Sequence, residues 1–267
     1  KRLINITLSD GDYLDDTWLQ FLQCFSHLEL LLQIGNGTRD AEEALFKGNT
    51  MEKRDRDQLS KLFNGPSKEE SIRRIEEANG EVLDLEIDSA TLDRIFTSSQ
   101  YFSAESLSAF IQCLCTVSLM EISSVYPGSI SLRGEDHLGG SGSPRVFSLQ
   151  KLVEVSDINM FKRSRLEWTH MWGQLADHFT KVGLHPNKVV AMCAIDSLKQ
   201  LSIKFLQKDE LNNFNFQRLF LKPFEVIISK STSPDIQELI LDCAHIMLQA
   251  CASKMRSGWK SLLAILE

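Results

Sequence analysis

Signature motifs of catalysis are missing from this chain of 267 residues. It has no G-x-G-x-x-G or G-x-x-x-x-G-K-S/T loop for phosphates, no H-E-x-x-H or C-x-x-C pair for a metal, and no G-x-S-x-G turn for a nucleophile. These absences disfavour nucleotide-binding, metal-dependent and serine-hydrolase enzymes. We therefore expect a non-catalytic chain that uses no cofactor and no metal.

Long apolar runs, a signal peptide and strand-like alternation are also lacking. No apolar run approaches the roughly 18 residues that suggest a membrane-spanning helix, and no leader peptide opens the chain. The six cysteines fall inside helical apolar patterns, which predicts reduced core thiols in a cytosolic protein. Residues 3–8 are typical of the end of a helix, so the chain is expected to begin inside a larger protein.

Positive charge is scarce in the first half of the chain. Residues 1–143 hold 13 Lys and Arg against 24 Asp and Glu, whereas residues 144–267 hold 16 against 12. An anionic partner therefore fits the second half better. The excess is too small to indicate nucleic acid.

The stretch 186–225 shows the pattern around which the rest of the chain is organised. Pro186 suits the first turn of a helix, and after the polar turn 208–213 a second apolar series predicts another helix, bent at Pro223. The positions predicted to be buried recur at helical spacing: Val190, Ala194, Leu198, Leu201 and Phe205, then Phe216, Phe220, Phe224 and Ile227. Two such helices form a hairpin that needs neighbours on both sides.

The same pattern predicts a series of helices. Their approximate ranges are 91–96, 104–125, 148–160, 164–182, 186–206, 213–230, 234–252 and 257–267. Ser164 and Glu167 form a capping box, and Ser233 before Pro234 is a second start signal. Pro186 and Pro234 lie 48 residues apart at equivalent places in successive hairpins, a period typical of HEAT and armadillo repeats. The predicted fold is therefore all-α, a right-handed α-solenoid of HEAT/armadillo-like hairpins.

Two stretches interrupt the single solenoid domain predicted for residues 1–267. Residues 38–87 are dense in charge and poor in large apolar side chains, which predicts a loosely ordered insertion. Residues 127–147 include Gly-Gly-Ser-Gly-Ser, which predicts a flexible loop.

Candidate metal ligands fail on their spacing. Cys113 and Cys115 stand two apart on one helix and point to different sides. His170 and His178 stand eight apart, whereas ligands on one helix face stand three or four apart. The acids between residues 10 and 16 miss the calcium-loop pattern and instead suit turns and caps.

One basic turn rises above this background. The capping box places Ser164 at the start of a helix, where Lys162, Arg163 and Arg165 oppose the helix dipole. A helix start flanked by cations suits a phosphate or carboxylate. An exposed turn that tolerates any charge is the competing interpretation.

A row of cations is predicted along one edge of the stack. The turns after alternate helices fall on the same side, and they carry Lys162, Lys208 and Lys254 at intervals of 46 residues. Such a row would face an acidic protein or an anionic membrane. The candidate partner- and membrane-binding residues are Lys162, Arg163, Arg165, Lys208, Lys254, Arg256 and Lys260.

Several blocks of the sequence are familiar in the same order along the chain. They are Asp10–Leu14 with Thr17-Trp18, Cys24–Glu29, Arg145–Glu154, Ala194–Ser202, Phe220–Phe224 and Ser257–Lys260. Together they resemble one family, the large Golgi Arf guanine-nucleotide exchange factors of the brefeldin-A-inhibited and yeast secretory type. The likeness covers roughly 1–35 and 90–267, with residues 38–87 and 127–143 unmatched.

The resemblance implies a regulatory region immediately downstream of the catalytic exchange domain, with no catalytic residue of its own. Its implied partners are GTP-bound Arf, other domains of the same exchange factor and an anionic membrane, in the cytoplasm and peripherally on trans-Golgi membranes. The alternative function is a HEAT-type scaffold or transport adaptor. That alternative needs exposed aromatic side chains, and Trp168 and Trp172 could be either such a ridge or a buried pair.

Overall fold

The computed structural model describes residues 2–35, 75, 78–80, 82, 89–123, 145–207 and 215–267, and the elements assigned there are helical. The α-helices are α1 (Arg2–Ser9), α2 (Trp18–Gly35), α3 (Ser89–Ser98), α4 (Ala104–Ile122), α5 (Phe147–Met160), α6 (Arg165–Gly183), α7 (Lys188–Leu206), α8 (Phe216–Lys230), α9 (Pro234–Cys251) and α10 (Gly258–Leu266). The predicted all-α class is confirmed. The predicted insertion at 38–87 and loop at 127–147 fall almost wholly outside the described residues.

The described helices pack in two rows. Even-numbered helices contact one another in the order α2, α4, α6, α8, α10, and odd-numbered helices do so in the order α1, α3, α5, α7, α9. Consecutive helices also touch, as α6 does α7 and α9 does α10. Every helix between α4 and α9 therefore has neighbours along its own row and across it, as the apolar hairpin pattern requires.

Ion pairs join equivalent positions on neighbouring helices of the odd-numbered row. Lys204 Nζ lies 2.6 Å from Asp157 Oδ2, joining the last turns of α7 and α5. Lys188 Nζ lies 2.5 Å from Asp235 Oδ2, joining the first turns of α7 and α9. Both pairs are separated by 47 residues in the sequence, which agrees with the predicted period.

The core contains the side chains that the helical spacing predicted to be buried, except Phe216, which is half-buried and packs against the core. Val190, Ala194, Leu198, Leu201 and Phe205 on α7 are buried, as are Phe220, Phe224 and Ile227 on α8. Stacked aromatic rings connect the two rows of helices. The ring of Phe220 on α8 stacks on Trp172 of α6 and on Phe205 of α7, with distances between ring centres of 3.7 Å and 4.3 Å. Trp168 and Trp172 are each 2 % exposed, so the interpretation of a buried pair is confirmed.

Two predicted helix starts differ in detail. α7 begins at Lys188, and its cap is Asn187, whose side chain accepts hydrogen bonds from the backbone N–H groups of Val189 and Val190. Pro186 therefore precedes the helix instead of opening it. Ser233 precedes α9 without a capping bond from its side chain. Pro234 occupies the first helical position, where its fixed φ suits the first turn.

The prediction of six core thiols is partly wrong. All six cysteines are unpaired, but Cys24 is exposed, whereas Cys113, Cys243 and Cys251 are buried. Burial raises the pKa of the Cys115 thiol to about 12.

α4 corrects the estimate of apolar run length. Within the described residues it is long and apolar enough to span a membrane by length and composition alone. However, 61 % of that window is buried inside the protein. Its position between α2, α5 and α6 accounts for the composition, because a helix that is covered on most sides is apolar all round.

Candidate functional site

The turns that follow the odd-numbered helices lie along one edge of the protein, which we call the turn edge. At its N-terminal end, the turn after α1 binds the turn after α3, because the backbone N–H of Ser103 donates to Asp12 Oδ1 at 2.7 Å. The turn after α3 in turn binds the one after α5, because Arg163 Nη1 donates to the carbonyl oxygen of Phe102 at 2.7 Å.

The same edge continues towards the C-terminus. Lys254 Nζ, in the turn after α9, donates to the carbonyl oxygen of Gln207 at the end of α7, at 2.7 Å. Gln217, at the start of α8, binds the backbone of this turn. Its Oε1 accepts the backbone N–H of Arg256 at 2.8 Å, and its Nε2 donates to the carbonyl oxygen of Lys254 at 3.1 Å. Lys254 therefore lies beside Gln207. The predicted cation Lys208 is outside the described residues.

Lys162 is exposed and leans across the turn after α3. Its ammonium group donates to the side-chain oxygen of Gln100 and lies 5.7 Å from the centre of the Tyr101 ring. Such a cation over an aromatic face at an exposed site contributes about 0.5–1 kcal/mol. The ammonium group of Lys162 is therefore positioned by Gln100 and Tyr101 while it stays at the protein surface.

Arg163 is engaged inside the protein. Its guanidinium donates to the carbonyl oxygens of Phe102 and Ser99, the latter at 3.0 Å, and to Asn159 Oδ1 at 3.1 Å. Asn159 is itself buried and donates to Ser99 Oγ at 3.0 Å. Desolvation lowers the pKa of the Arg163 guanidinium, although the charges of Glu167 and Asp12 oppose this shift. Arg163 therefore joins the turn after α3 to the turn after α5, and its guanidinium is less available to an external anion than the exposed side chains of Lys162 and Arg165.

This arrangement predicts a difference between two adjacent arginines. Replacing Arg163 by Ala should lower the free energy of unfolding by about 2 kcal/mol, because it leaves two carbonyl oxygens and one amide oxygen short of donors. Replacing Arg165 by Ala, which removes the same charge from an exposed position, should change it by less than about 0.5 kcal/mol. Urea unfolding of both variants measures the difference, and equal losses would contradict the role given to Arg163.

The start of α6 is occupied by its own side chains. Ser164 Oγ accepts the backbone N–H of Glu167 at 3.3 Å, and Glu167 Oε2 accepts the backbone N–H of Ser164 at 2.9 Å. The predicted capping box is therefore confirmed. These hydrogen bonds lower the pKa of the Glu167 carboxyl, so an anion already sits where an external phosphate was predicted.

The remaining predicted cations, Arg165, Lys254, Arg256 and Lys260, are exposed on the turn edge or in the first turn of the helix that follows it. The structure brings Lys254, Arg256 and Lys260 together around the start of α10. It also brings together Lys162, Arg163 and Arg165 at the start of α6.

Sequence reasoning missed the aromatic side chains of this edge. Among the described residues, the exposed aromatic side chains are those of Tyr13, Tyr101, Phe161 and Trp259. Each belongs to a different turn of the turn edge or to the helix start directly after it. A single aromatic residue in a turn has no periodicity, and the intervals between these four residues do not follow the repeat of 46–48 residues, so no sequence pattern connected them.

Metal chemistry finds no support in the described part of the chain, where no group of three or more His, Cys, Asp or Glu side chains could hold an ion. His178 is buried, and its Nε2 lies 3.1 Å from Ser118 Oγ. Burial lowers the pKa of His178 to about 4. His178 is thus a neutral core residue, whereas His170 is exposed on the outer face of α6.

Comparison with known proteins gives a consistent result. The family model described as Mon2/Sec7/BIG1-like, HDS matches residues 204–267. The chain is 37 % identical over 273 residues to the brefeldin A-inhibited guanine nucleotide-exchange protein 1 of Homo sapiens. It is 35 % identical over 275 residues to the ADP-ribosylation factor guanine nucleotide-exchange factor sec72 of Schizosaccharomyces pombe, and 34 % identical over 292 residues to an Arabidopsis thaliana exchange protein 1.

These alignments cover 99 % of this chain, but only 14 % of the human and fission yeast proteins and 16 % of the plant protein. The chain therefore spans about one seventh of the length of the human and yeast relatives. The alignments run across residues 38–87 and 127–143, the two stretches that the resemblance had left unmatched.

Proposed function

Because the chain belongs to the large Golgi Arf guanine-nucleotide exchange factors of the Sec7 and brefeldin A-inhibited type, we propose that it is a non-catalytic regulatory module of such an exchange factor. The module restrains the exchange domain and recruits the enzyme to trans-Golgi membranes by binding GTP-bound Arf and anionic lipid. Its location is then cytoplasmic and peripheral on the membrane. The observation that carries this proposal is the likeness to these exchange factors over 99 % of the chain.

The proposed architecture is a single right-handed α-solenoid of HEAT-like hairpins over residues 1–267. Two observations support it: the described helices pack in two rows, and cross-linked positions are 47 residues apart. The charged segment 38–87 is an insertion in this solenoid and 127–147 is a connecting loop. Such a stack offers long surfaces to partners.

A scaffold or cargo adaptor is less well supported. That function needed an exposed ridge of large aromatic side chains, and Trp168 and Trp172 are instead buried against Phe220. The aromatic side chains that are exposed lie singly on separate turns. They do not line one groove.

A binding experiment with nucleotide-loaded Arf tests the proposal. The 267-residue chain is immobilised, and Arf loaded with GTP or with GDP is added in the presence of liposomes. We expect retention of the GTP form over the GDP form, because only a nucleotide-dependent contact can report the activated state. Equal retention of both forms, or none, would favour the adaptor.

A second measurement concerns catalysis. The chain alone should not accelerate nucleotide release from Arf, since the exchange domain is proposed to lie elsewhere in the full-length protein. Acceleration above the spontaneous rate would refute the non-catalytic assignment while leaving the binding result intact.

A further inference from the structure

Exposed aromatic side chains are confined to the turn edge within the described residues. Tyr13 is 84 % exposed, Tyr101 79 %, Phe161 51 % and Trp259 39 %. Tyr13, Tyr101 and Phe161 come from the turns after α1, α3 and α5, and Trp259 comes from the first turn of α10, directly after the turn that follows α9. The described turns on the opposite edge, 184–187 and 231–233, carry none. Keeping a large ring in water forgoes roughly 1.5–3 kcal/mol of burial, so four rings on one edge call for a physical explanation.

Charge divides this edge into two halves. The turn after α1 carries Asp10, Asp12, Asp15 and Asp16 around Tyr13. Past α5 the sign is reversed among the described residues, where the exposed cations include Lys162, Arg165, Lys254, Arg256 and Lys260. Phe161 and Trp259 fall in this basic half, and Leu166, in the first turn of α6, is 80 % exposed.

We propose that the basic half of the turn edge lies on an anionic bilayer, with Phe161, Leu166 and Trp259 inserted into its interface. The cations contact the phosphate and carboxylate groups of the lipids around these side chains. The proposal rests on the proposed function in placing the protein at a membrane. It adds the surface and a second, apolar mode of attachment that needs no Arf.

The geometry favours a bilayer over a protein groove. Packed helices lie about 8–10 Å apart, so the turns after α5 and α9, with α7 between them, are separated by roughly two such spacings. Side chains that project singly at this distance along a line suit a plane that receives each one. Indole and phenyl rings favour the region between lipid headgroups and acyl chains.

Charge complementarity supports the same partner. Each cation near an anionic leaflet contributes about 1 kcal/mol, and this contribution falls with salt. In a chain with formal net charge -7, exposed cations also lie elsewhere, as Lys181 and Lys230 do at the opposite edge, but the basic half combines five of them with exposed apolar side chains. The acidic turn around Tyr13 is repelled by an anionic surface and is not part of this contact.

The fluorescence of tryptophan reports this contact directly. Of the four tryptophans, Trp18, Trp168 and Trp172 are buried, and Trp259 is the exposed one. We expect vesicles of phosphatidylcholine mixed with phosphatidylserine to shift the emission to shorter wavelength, and brominated acyl chains to quench it. Phosphatidylcholine alone should have little effect. A Trp259→Phe variant should remain bound yet show neither change.

Variants on the two halves of the edge separate the components. A Phe161→Ser and Leu166→Ser double variant should bind the mixed vesicles about tenfold more weakly or worse, since two apolar side chains leave the interface. Tyr13→Ser, which removes an exposed ring from the acidic half, should bind as the wild type.

Reversal of Lys162 and Lys260 to Glu should abolish binding, whereas reversal of Lys181 and Lys230, at the opposite edge, should not.

Three outcomes would overturn the proposal. The first is binding to mixed vesicles without a change in Trp259, which would make the attachment electrostatic or place it elsewhere. The second is a change in Trp259 with GTP-loaded Arf but not with vesicles, which would assign the surface to a protein. The third is an absence of vesicle binding by a wild-type chain whose circular dichroism is helical. The nucleotide-dependent retention of Arf is measured separately, so the proposed function can stand when this inference fails.

Discussion

Replacing Glu121 by Ala is expected to lower the free energy of unfolding by about 3–5 kcal/mol. Glu121 is a buried carboxylate at the junction of α2, α4 and α5. It accepts hydrogen bonds from Ser26 Oγ, from Ser148 Oγ at 2.7 Å and from the backbone N–H of Ser148 at 2.8 Å. Alanine would leave these three buried donors without an acceptor. Urea unfolding followed by circular dichroism measures the loss.

The same substitution would also remove the charge opposite Arg145. The Arg145 guanidinium donates to Ser26 Oγ at 3.1 Å and to the carbonyl oxygen of Ser26 at 2.9 Å, and its charge favours the ionised form of Glu121. Glu105→Ala provides the control, because Glu105 is exposed at the other end of α4. That variant should change stability by less than about 0.5 kcal/mol. A similar loss in both variants would mean that the cluster contributes nothing specific.

Glu121 should also leave a pH signature. Burial raises the pKa of its carboxyl, more strongly than Arg145 and the hydrogen bonds lower it. The stability that a group with a raised pKa contributes is complete below its unfolded pKa and is lost as the pH rises through its folded pKa. The advantage of the wild type over a Glu121→Gln variant should therefore shrink as the pH rises above 4.5, the ordinary carboxyl value. An advantage that grew with pH would contradict the raised pKa.

Replacing Leu198 by Ala should cost about 2–5 kcal/mol, from lost burial and from the cavity left behind. Leu198 is fully buried in the middle of α7, which contacts α5, α6, α8 and α9. Because α7 packs against four helices, those neighbours have little freedom to move into the space that the Leu198 side chain would leave. Denaturant unfolding should show a lower midpoint with an unchanged slope.

Met192→Ala is the matched control for Leu198. Met192 lies on the same helix and is 41 % exposed, so its truncation removes a side chain of similar size without opening a cavity. We expect a loss well below that of Leu198→Ala. If the two variants unfolded at the same midpoint, the core would not lie where the structure places it.

Helix positions and buried faces could be predicted from sequence because both follow from local spacing. The apolar series from Val190 to Phe205 determines one face of α7, and Ser164 with Glu167 determines the start of α6. Local signals compete, however. At residues 186 and 187 the proline was the stronger statistical signal, yet the Asn187 side chain makes the two capping bonds.

The role of Arg163 could not be predicted from local spacing. Its acceptors at Ser99 and Phe102 lie 64 and 61 residues away in the sequence, and no periodic pattern connects them. Lys254 is the opposite case. Its contact with Gln207 spans 47 residues, close to the interval of 46 from which the shared edge was predicted. The repeat therefore placed the turns, but not the side chains that each turn uses internally.

The ion pairs of Asp157 with Lys204 and of Lys188 with Asp235 lie at equivalent positions of odd-numbered helices, so they depend on the number of residues within each helix. One extra residue inside α7 would rotate everything beyond it by about 100°, turning Leu201 and Phe205 towards water and carrying Lys204 off its partner. An extra residue in a connecting turn rotates nothing. Insertions and deletions should therefore be tolerated in the connecting turns of such a chain, whereas each packed helix requires a fixed number of residues.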